Sequence, residues 1–404
     1  MFTDLITKFY TLTLISILVV CAKCSNSSDT HQNHLRKFVD SHSLIEDRKI
    51  SIPLDSITIN VGAFQYFSNQ LGQADYIALL NNNSNKLQFY KWPSGNYYKA
   101  ISLPDGVGSP SHFYIQSLDS IYLVDGHYFR LSLIDSTGML LKTYRLLIDQ
   151  TDYENIEKHP PPLATAQKYC ATAVPDNRNP IQVIRDSIFI RCYPWMDPFK
   201  DEYFQIGKVK LSLNLKTNHI SYFMPYPDMF KDKTETYPTQ FYNESCTYNE
   251  ISQKFIFSFP ADNYLYEVKT NGEILKVHWA GSKYFKVVPP LPKRTTDNIK
   301  HAEHTFNNFH FERLIFDKYH NVYYRLVWHP DTKDKFSFSN QGVLFRPRLS
   351  IIILDSRFRH IGETLLPTSV TNTFMFATEE GLFIQSDIDN TSQINFTLFK
   401  LKEL

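Results

Sequence analysis

The chain is poor in cysteine and glycine, carries no charge excess, and lacks an apolar run long enough to cross a bilayer. Of its 5 cysteines, Cys21 and Cys24 sit near the N-terminus and only Cys170, Cys192 and Cys246 lie beyond. That odd remainder closes at most one bridge, so a disulfide scaffold is excluded and the core must hold the fold. No Cys-x-x-Cys occurs past Cys24, which removes the usual zinc spacing. With only 13 glycines, turns must lean on Asn, Asp, Ser and Pro. The 42 basic and 41 acidic residues leave a net charge of +1, so no global field draws nucleic acid. No basic run with interleaved aromatics is present either, and nucleic acid is not an expected partner. A Gly-x-Ser-x-Gly elbow is missing, as are a glycine-rich phosphate loop and the Ser-x-Asp-x-Gly-x-Thr-Trp turn of sialidase-type propellers. No catalytic residue, cofactor or metal ligand can be assigned from motifs.

The apolar run Tyr10–Val20 follows Lys8 and stops at Cys21-Ala-Lys-Cys24-Ser25. A bilayer needs about 20 apolar residues, so this run has instead the length and place of a signal-peptide h-region. A cysteine directly after an h-region is where bacterial lipoproteins are acylated. Cys21 has Leu18 three residues before it, as a lipobox prefers, although Val20 is larger than usual. Cys24 follows Lys23, a poor fit to a pocket for small residues. Cys21 is the expected lipid attachment, Cys24 the alternative, and simple secretion the third reading. Either cysteine would tether the protein to a membrane on its periplasmic or cell-surface side. The expected layout is a leader over 1–24, a polar tether over 25–47, and one domain over 48–404.

What the chain has in quantity is aromatic: 25 Tyr and 31 Phe, residues that suit pleated, half-buried surfaces. Short strand patterns recur from about residue 50 onward. Five hairpin patterns, 87–101, 131–144, 209–222, 265–276 and 351–363, turn on Asn, Asp or Gly. A second signature is a strand rich in Tyr, Phe and Ile: 75–80, 119–124, 186–191, 253–259, 320–325 and 380–385. Six such units suit a six-bladed all-β propeller of antiparallel blades, because radial packing leaves only short edges. Ile50–Ile59 is a spare strand, placed to close the ring on the C-terminal blade. A large β-sandwich or a β-solenoid is the alternative. Proline-rich insertions near 149–180 and 281–308 interrupt the pattern.

Three stretches resemble a family of Bacteroidota lipoproteins that carry domain of unknown function 4221. They are Asn81–Phe89 with Ser94-Gly95, then Phe316–Arg325, then Ile353–Phe358 with Gly362-Glu-Thr364 and Glu380-Gly-Leu382. The resemblance implies a secreted, TolB-like propeller lipoprotein and brings no known activity or catalytic residues.

Candidate chemistry is sparse. His301-Ala-Glu-His304 lies in the second insertion; it is not His-Glu-x-x-His, and a solvated loop is expected rather than a metal site. Cys170 and Cys192 flank the first strand of the third unit and form either a local disulfide or a pair of buried thiols. Arg191, Tyr193 and Trp195, with Tyr324, Arg325 and Trp328, combine aromatic faces with Arg donors. They fill the space between blades or grip a sugar, peptide or anionic group at the mouth of the ring. The expected function is a binding or scaffold module at the bacterial envelope, with a protein, peptide or glycan ligand. The alternative is a glycan-active hydrolase or lyase. Two carboxylates and a basic partner converging in one central cleft would mark the enzyme. A channel of hydrophobic or scattered groups, with an exposed patch on one face, would mark the binder.

Overall fold

The computed structural model describes residues 38, 40–54, 61–68, 75–147, 171–232, 234–292, 295–331, 348–387 and 392–404. Within it, six antiparallel sheets form a six-bladed propeller. From the axis outward, blade one is Val61–Phe67, Asp75–Asn81, Lys86–Trp92 and Tyr97–Ser102. Blade two is His112–Ser117, Ser120–Asp125, Arg130–Ile134 and Leu140–Arg145. In blade three, Ala171–Ala173 and Gln182–Ile184 share the innermost place beside Ser187–Pro194, followed by Lys208–Asn214 and Ile220–Pro225. Blade four is Ser245–Asn249, Lys254–Ser258, Tyr264–Lys269 and Ile274–Trp279. Blade five is His310–Asp317, Val322–His329, Arg348–Asp355 and His360–Leu365. Blade six is Val370–Thr378, Gly381–Ser386 and Gln393–Glu403, and its outermost strand is the N-terminal His42–Pro53.

That last strand closes the ring. It pairs antiparallel with Gln393–Glu403, from His42 opposite Glu403 to Pro53 opposite Gln393. Pairing starts earlier than the sequence pattern suggested, so 42–47 of the expected tether belong to the ring. The same stretch also reaches blade five, where Leu44 N donates to Thr364 Oγ1 at 2.9 Å and Ser41 N to the Ile361 carbonyl at 2.8 Å.

The Tyr, Phe and Ile signature marks the second strand of every blade, and its alternation explains the packing. In blade three, Ile188 and Ile190 face the seam with blade two, while Phe189 joins the seam with blade four. In blade five, Tyr324, Leu326 and Trp328 face blade six, while Tyr323 and Val327 face blade four. A strand buried on both faces must be apolar on both, hence the near-continuous runs. Each large side chain buried this way is worth about 1.5–3 kcal/mol. The five hairpin patterns are the outer two strands of blades one to five.

Turns are set by side-chain acceptors together with a few glycines. Asp135 Oδ1 accepts from the N–H groups of Thr137 and Met139 at 2.8 and 3.0 Å. Asn249 and Asp317 do the same for the two residues that begin their turns. Such Asx turns compete with the ladder and end it. Gly138 is required where it stands. Its φ is 89°, and an added Cβ would lie 2.5 Å from the Ser102 carbonyl of the adjacent blade.

The second insertion is partly helical, not an irregular loop. The short helix α1, Asp201–Ile206, lies between the second and third strands of blade three, whereas in this insertion helix α2 spans Asn298–Phe306, with Asp297 accepting from Ile299 N at 2.9 Å as its N-cap. His301 is buried on α2, hydrogen-bonded between Thr239 N and the Thr295 carbonyl at 3.3 and 2.8 Å. The solvated-loop expectation for His301–His304 is therefore corrected: the capped helix buries His301 as a packing residue. Cys21, Cys24 and residues 149–170, with Cys170, lie outside the described residues.

Candidate functional site

A propeller sets its innermost strands around the axis, and here those strands carry charge. The segment Pro175-Asp-Asn-Arg-Asn-Pro180, between the two inner strands of blade three, is held by Asp176. Its Oδ1 accepts from Arg178 N at 2.8 Å and Asn179 N at 3.0 Å. The other oxygen receives Arg191 Nη1 at 2.6 Å and Arg178 Nη2 at 3.3 Å. Arg191, within the second strand of blade three, also donates to Asn243 and lies 3.6 Å from Glu244. Asn179 donates to Glu244 and accepts from Lys210 Nζ at 2.5 Å. From blade five, Glu312 accepts from His310 Nε2 at 2.8 Å and from Arg178 Nη1 at 3.4 Å. Beside it, Arg313 donates from Nη2 to the Thr373 carbonyl of blade six at 2.8 Å.

Burial opposes ionisation of Asp176, but Arg191 and Arg178 outweigh it and hold the carboxyl below its usual range. Burial opposes Glu312 in the same way, yet His310 and Arg178 bring it down to about 2. Glu244 goes the other way: burial, only partly offset by Arg191 and Lys210, raises it to about 7. Burial also lowers Arg313 to about 10 and His112 to about 4, the latter leaving a neutral ring at neutral pH.

Two cavities adjoin this network, and a third borders the first. One, of about 290 Å³, is walled by inner strands of five blades and includes Tyr66, His112, Asp176, Arg313 and Phe376. A second, about 380 Å³, is walled by Arg178, Asn243, Glu312, Trp328, Thr371 and Thr373. The third, about 870 Å³, lies at the far ends of inner strands and shares Gln65, Tyr66 and Tyr114 with the first. Among the described residues, no group of three or more His, Cys, Asp or Glu is arranged to hold a metal ion.

The sequence profile of a domain of unknown function, DUF4221, matches residues 41–365. The chain belongs to the DUF4221 family. A crystal structure of a DUF4221 family member from Bacteroides vulgatus is similar over 90% of this chain and 99% of that one, at 20% identity and a TM-score of 0.75. A Bacteroides fragilis protein described as exported aligns over 90% of this chain and 96% of its own, at 12% identity and a TM-score of 0.49. The virginiamycin B lyase of Staphylococcus aureus aligns over 87% and 99%, at 12% identity and a TM-score of 0.39. The first shows the shared fold; the other two are too distant to carry an argument. No curated protein sequence matches the chain.

In this DUF4221 propeller the sequence-derived candidates separate. Arg191 joins the axial network. Trp328 walls the second cavity, although it is largely buried and its indole N–H donates to the Phe306 carbonyl at 3.4 Å. Trp195 packs in the seam of blades two and three, edge-on to Phe129 at 5.8 Å. Tyr324 is buried between blades five and six, its hydroxyl donating to Asp317 at 3.3 Å. Arg325 is fully buried and walls none of these cavities. It donates to Ser258 Oγ at 3.0 Å and to the carbonyls of Ala280 and Asp262 at 2.9 and 2.5 Å, with Phe311 under its guanidinium. Cys192 is a buried free thiol, its Sγ donating to the Lys208 carbonyl at 3.7 Å; its expected partner Cys170 is not among the described residues. Sequence reasoning missed Asp176, Arg178, Glu244, Glu312 and Arg313. One signal was available: two adjacent charges, Glu312-Arg313, inside the otherwise apolar run Phe311–Phe316.

Proposed function

We propose that this DUF4221 protein is an exported, lipid-anchored propeller that binds a ligand at its axis on the bacterial cell envelope. The observation that carries the reading is the 290 Å³ axial cavity, walled by charged and aromatic side chains from five blades. Pockets of that kind, apolar with a few placed polar groups, are the usual form of a small-molecule site. Export and anchoring rest on the leader: an h-region of signal-peptide length ending at Cys21. No helix of the described residues is long and apolar enough to cross a membrane.

Carboxylates do converge on the axis with basic partners, the arrangement expected of the enzyme. Their state argues against acid–base work. A general acid must keep a proton near neutral pH and reach the substrate. Asp176 is held ionised by Arg191 and Arg178, and Glu312 by His310 and Arg178. A glycan-active enzyme remains the second reading because Glu244 titrates at about 7, but that residue is only 1% exposed.

The test is ligand-observed NMR on the full chain in non-ionic detergent, with fragments of mixed charge. Fragments bind the wild type and are lost from Asn177→Trp, which adds bulk to the cavity wall. Binding that ignores Asn177→Trp overturns the axial site. Release of reducing sugar from envelope glycans, abolished by Glu244→Gln, would establish the enzyme instead. Palmitate-analogue labelling of the wild type, Cys21→Ser and Cys24→Ser tests the anchor, and absence of label in the wild type rejects it.

A further inference from the structure

The axial network leaves one arginine without a carboxylate partner. Among the described residues, Arg178, Arg191, Lys210 and Arg313 meet Asp176, Glu244 and Glu312 there. Arg191 and Arg178 are engaged by Asp176, Glu244 and Glu312. Lys210 is held by Asn179, itself bound to Glu244. Arg313 is the exception. It is 3% exposed, makes no ion pair with these carboxylates, and its Nε has no protein partner. A buried guanidinium N–H left open is costly and calls for an acceptor.

A second group on the same cavity wall has the same deficit. Both ring nitrogens of His112, from blade two, are buried without a protein partner. The rest of the cavity is of a different character. Phe64, Tyr66, Met375 and Phe376 wall its other side, with Tyr66 stacked on Phe376 at 4.8 Å and Phe64 at 5.4 Å from it. The carboxylate on this wall, Asp176, offers little to a cationic ligand, since each of its oxygens already accepts two hydrogen bonds.

We propose that the axial cavity takes a small organic monocarboxylate with an apolar body, its carboxylate set against Arg313 and His112 and its body against Phe64, Tyr66, Met375 and Phe376. A single carboxylate supplies the acceptor that Arg313 lacks, and the apolar wall suits an organic body rather than a bare phosphate. Charge-assisted hydrogen bonds to a guanidinium are the strong kind, and a desolvated wall strengthens them further. At about 290 Å³ the space suits a ligand at the small end of the usual range. This inference rests on the axial cavity being the binding site.

The experiment is calorimetric titration of the full chain in non-ionic detergent with phenylacetate, 2-phenylethanol and inorganic phosphate. Phenylacetate binds saturably at one site, and 2-phenylethanol, the same body without the charge, binds at least about tenfold more weakly. Arg313→Gln weakens phenylacetate by about tenfold or more, and His112→Ala, on a separate blade, weakens it several-fold without a change in 2-phenylethanol binding. Melting curves of both variants report whether each is folded, and either one suffices for the test. Equal affinity for phenylacetate and 2-phenylethanol overturns the carboxylate assignment, as does phosphate that competes at equal concentration. Phenylacetate binding unchanged in a folded variant overturns it too. If uncharged fragments bind the wild type and are lost from Asn177→Trp while phenylacetate does not bind, the carboxylate inference fails and the axial site stands. If nothing binds there, both fail.

Discussion

Among the described residues, blade five holds two buried arginines, and they do opposite things. Arg325, on the second strand, sits in the seam with blade four and spends its donors on a hydroxyl and backbone carbonyls. Arg313, on the innermost strand, gives one hydrogen bond to the Thr373 carbonyl and leaves Nε open beside a cavity. Burial lowers both, Arg325 to about 9 and Arg313 to about 10, so both stay charged at neutral pH. A seam arginine is saturated because its neighbours are blade ends with spare carbonyls. Arg313 is unsaturated because its neighbours are other blades' side chains around a space, and no carboxylate there reaches it. Saturation is a mark of stability, and its absence a mark of a site.

The largest effect should come from breaking the seam. Arg325→Met leaves the Ala280 and Asp262 carbonyls without their donor and should cost about 3 kcal/mol or more in urea unfolding. A loss below about 1 kcal/mol would show that the seam does not depend on it.

Acid should break the axis next. Glu312 has a folded value of about 2, below the about 4.3 of an unfolded chain. Its contribution is therefore full above pH 4.3 and is lost as pH falls toward 2, worth about 3 kcal/mol in all. Glu312→Gln should flatten that part of the stability curve; an unchanged acid slope would contradict the pairing with His310 and Arg178.

His112 should add a gentler slope at higher pH. Its folded value is about 4 against about 6.5 unfolded, so the unfolded chain takes up protons first. Stability is then fully present above pH 6.5 and declines as pH falls toward 4, by about 2 kcal/mol once its partial exposure is allowed for. Burial is the main cause, with Asp176 opposing it and Arg191 adding to it. In His112→Asn the decline between pH 6.5 and 4 should disappear from thermal melts.

The smallest effect should be Arg313→Met, within about 1 kcal/mol, because one hydrogen bond is lost while an open buried donor is also removed. A cost matching that of Arg325→Met would erase the distinction between seam and axis.

Legibility followed the same divide. The second strands and outer hairpins were readable because they pack against whole neighbouring sheets, which imposes near-continuous apolar runs such as Tyr76–Leu80 and Ile351–Leu354. Inner strands such as His112–Ser117 and Gln182–Ile184 were not, because one side of each faces the axis and tolerates polar residues. Arg325 and Tyr324 looked like a binding pair by type, yet the strand turns one to each seam. Arg178 and Asp176 looked like part of a proline-rich insertion, yet the Asx turn at Asp176 aims both at the axis.

By itself the sequence determined six blades, their Asx-turned hairpins and a closing N-terminal strand, because alternation and turn chemistry act over a few residues. Only the tertiary structure decided that Tyr66, His112, Asp176, Arg313 and Phe376 would share one cavity. Ring closure gathers the innermost strand of each blade around one axis. The balance of charge there is a sum over residues too far apart in the chain for any local pattern to add.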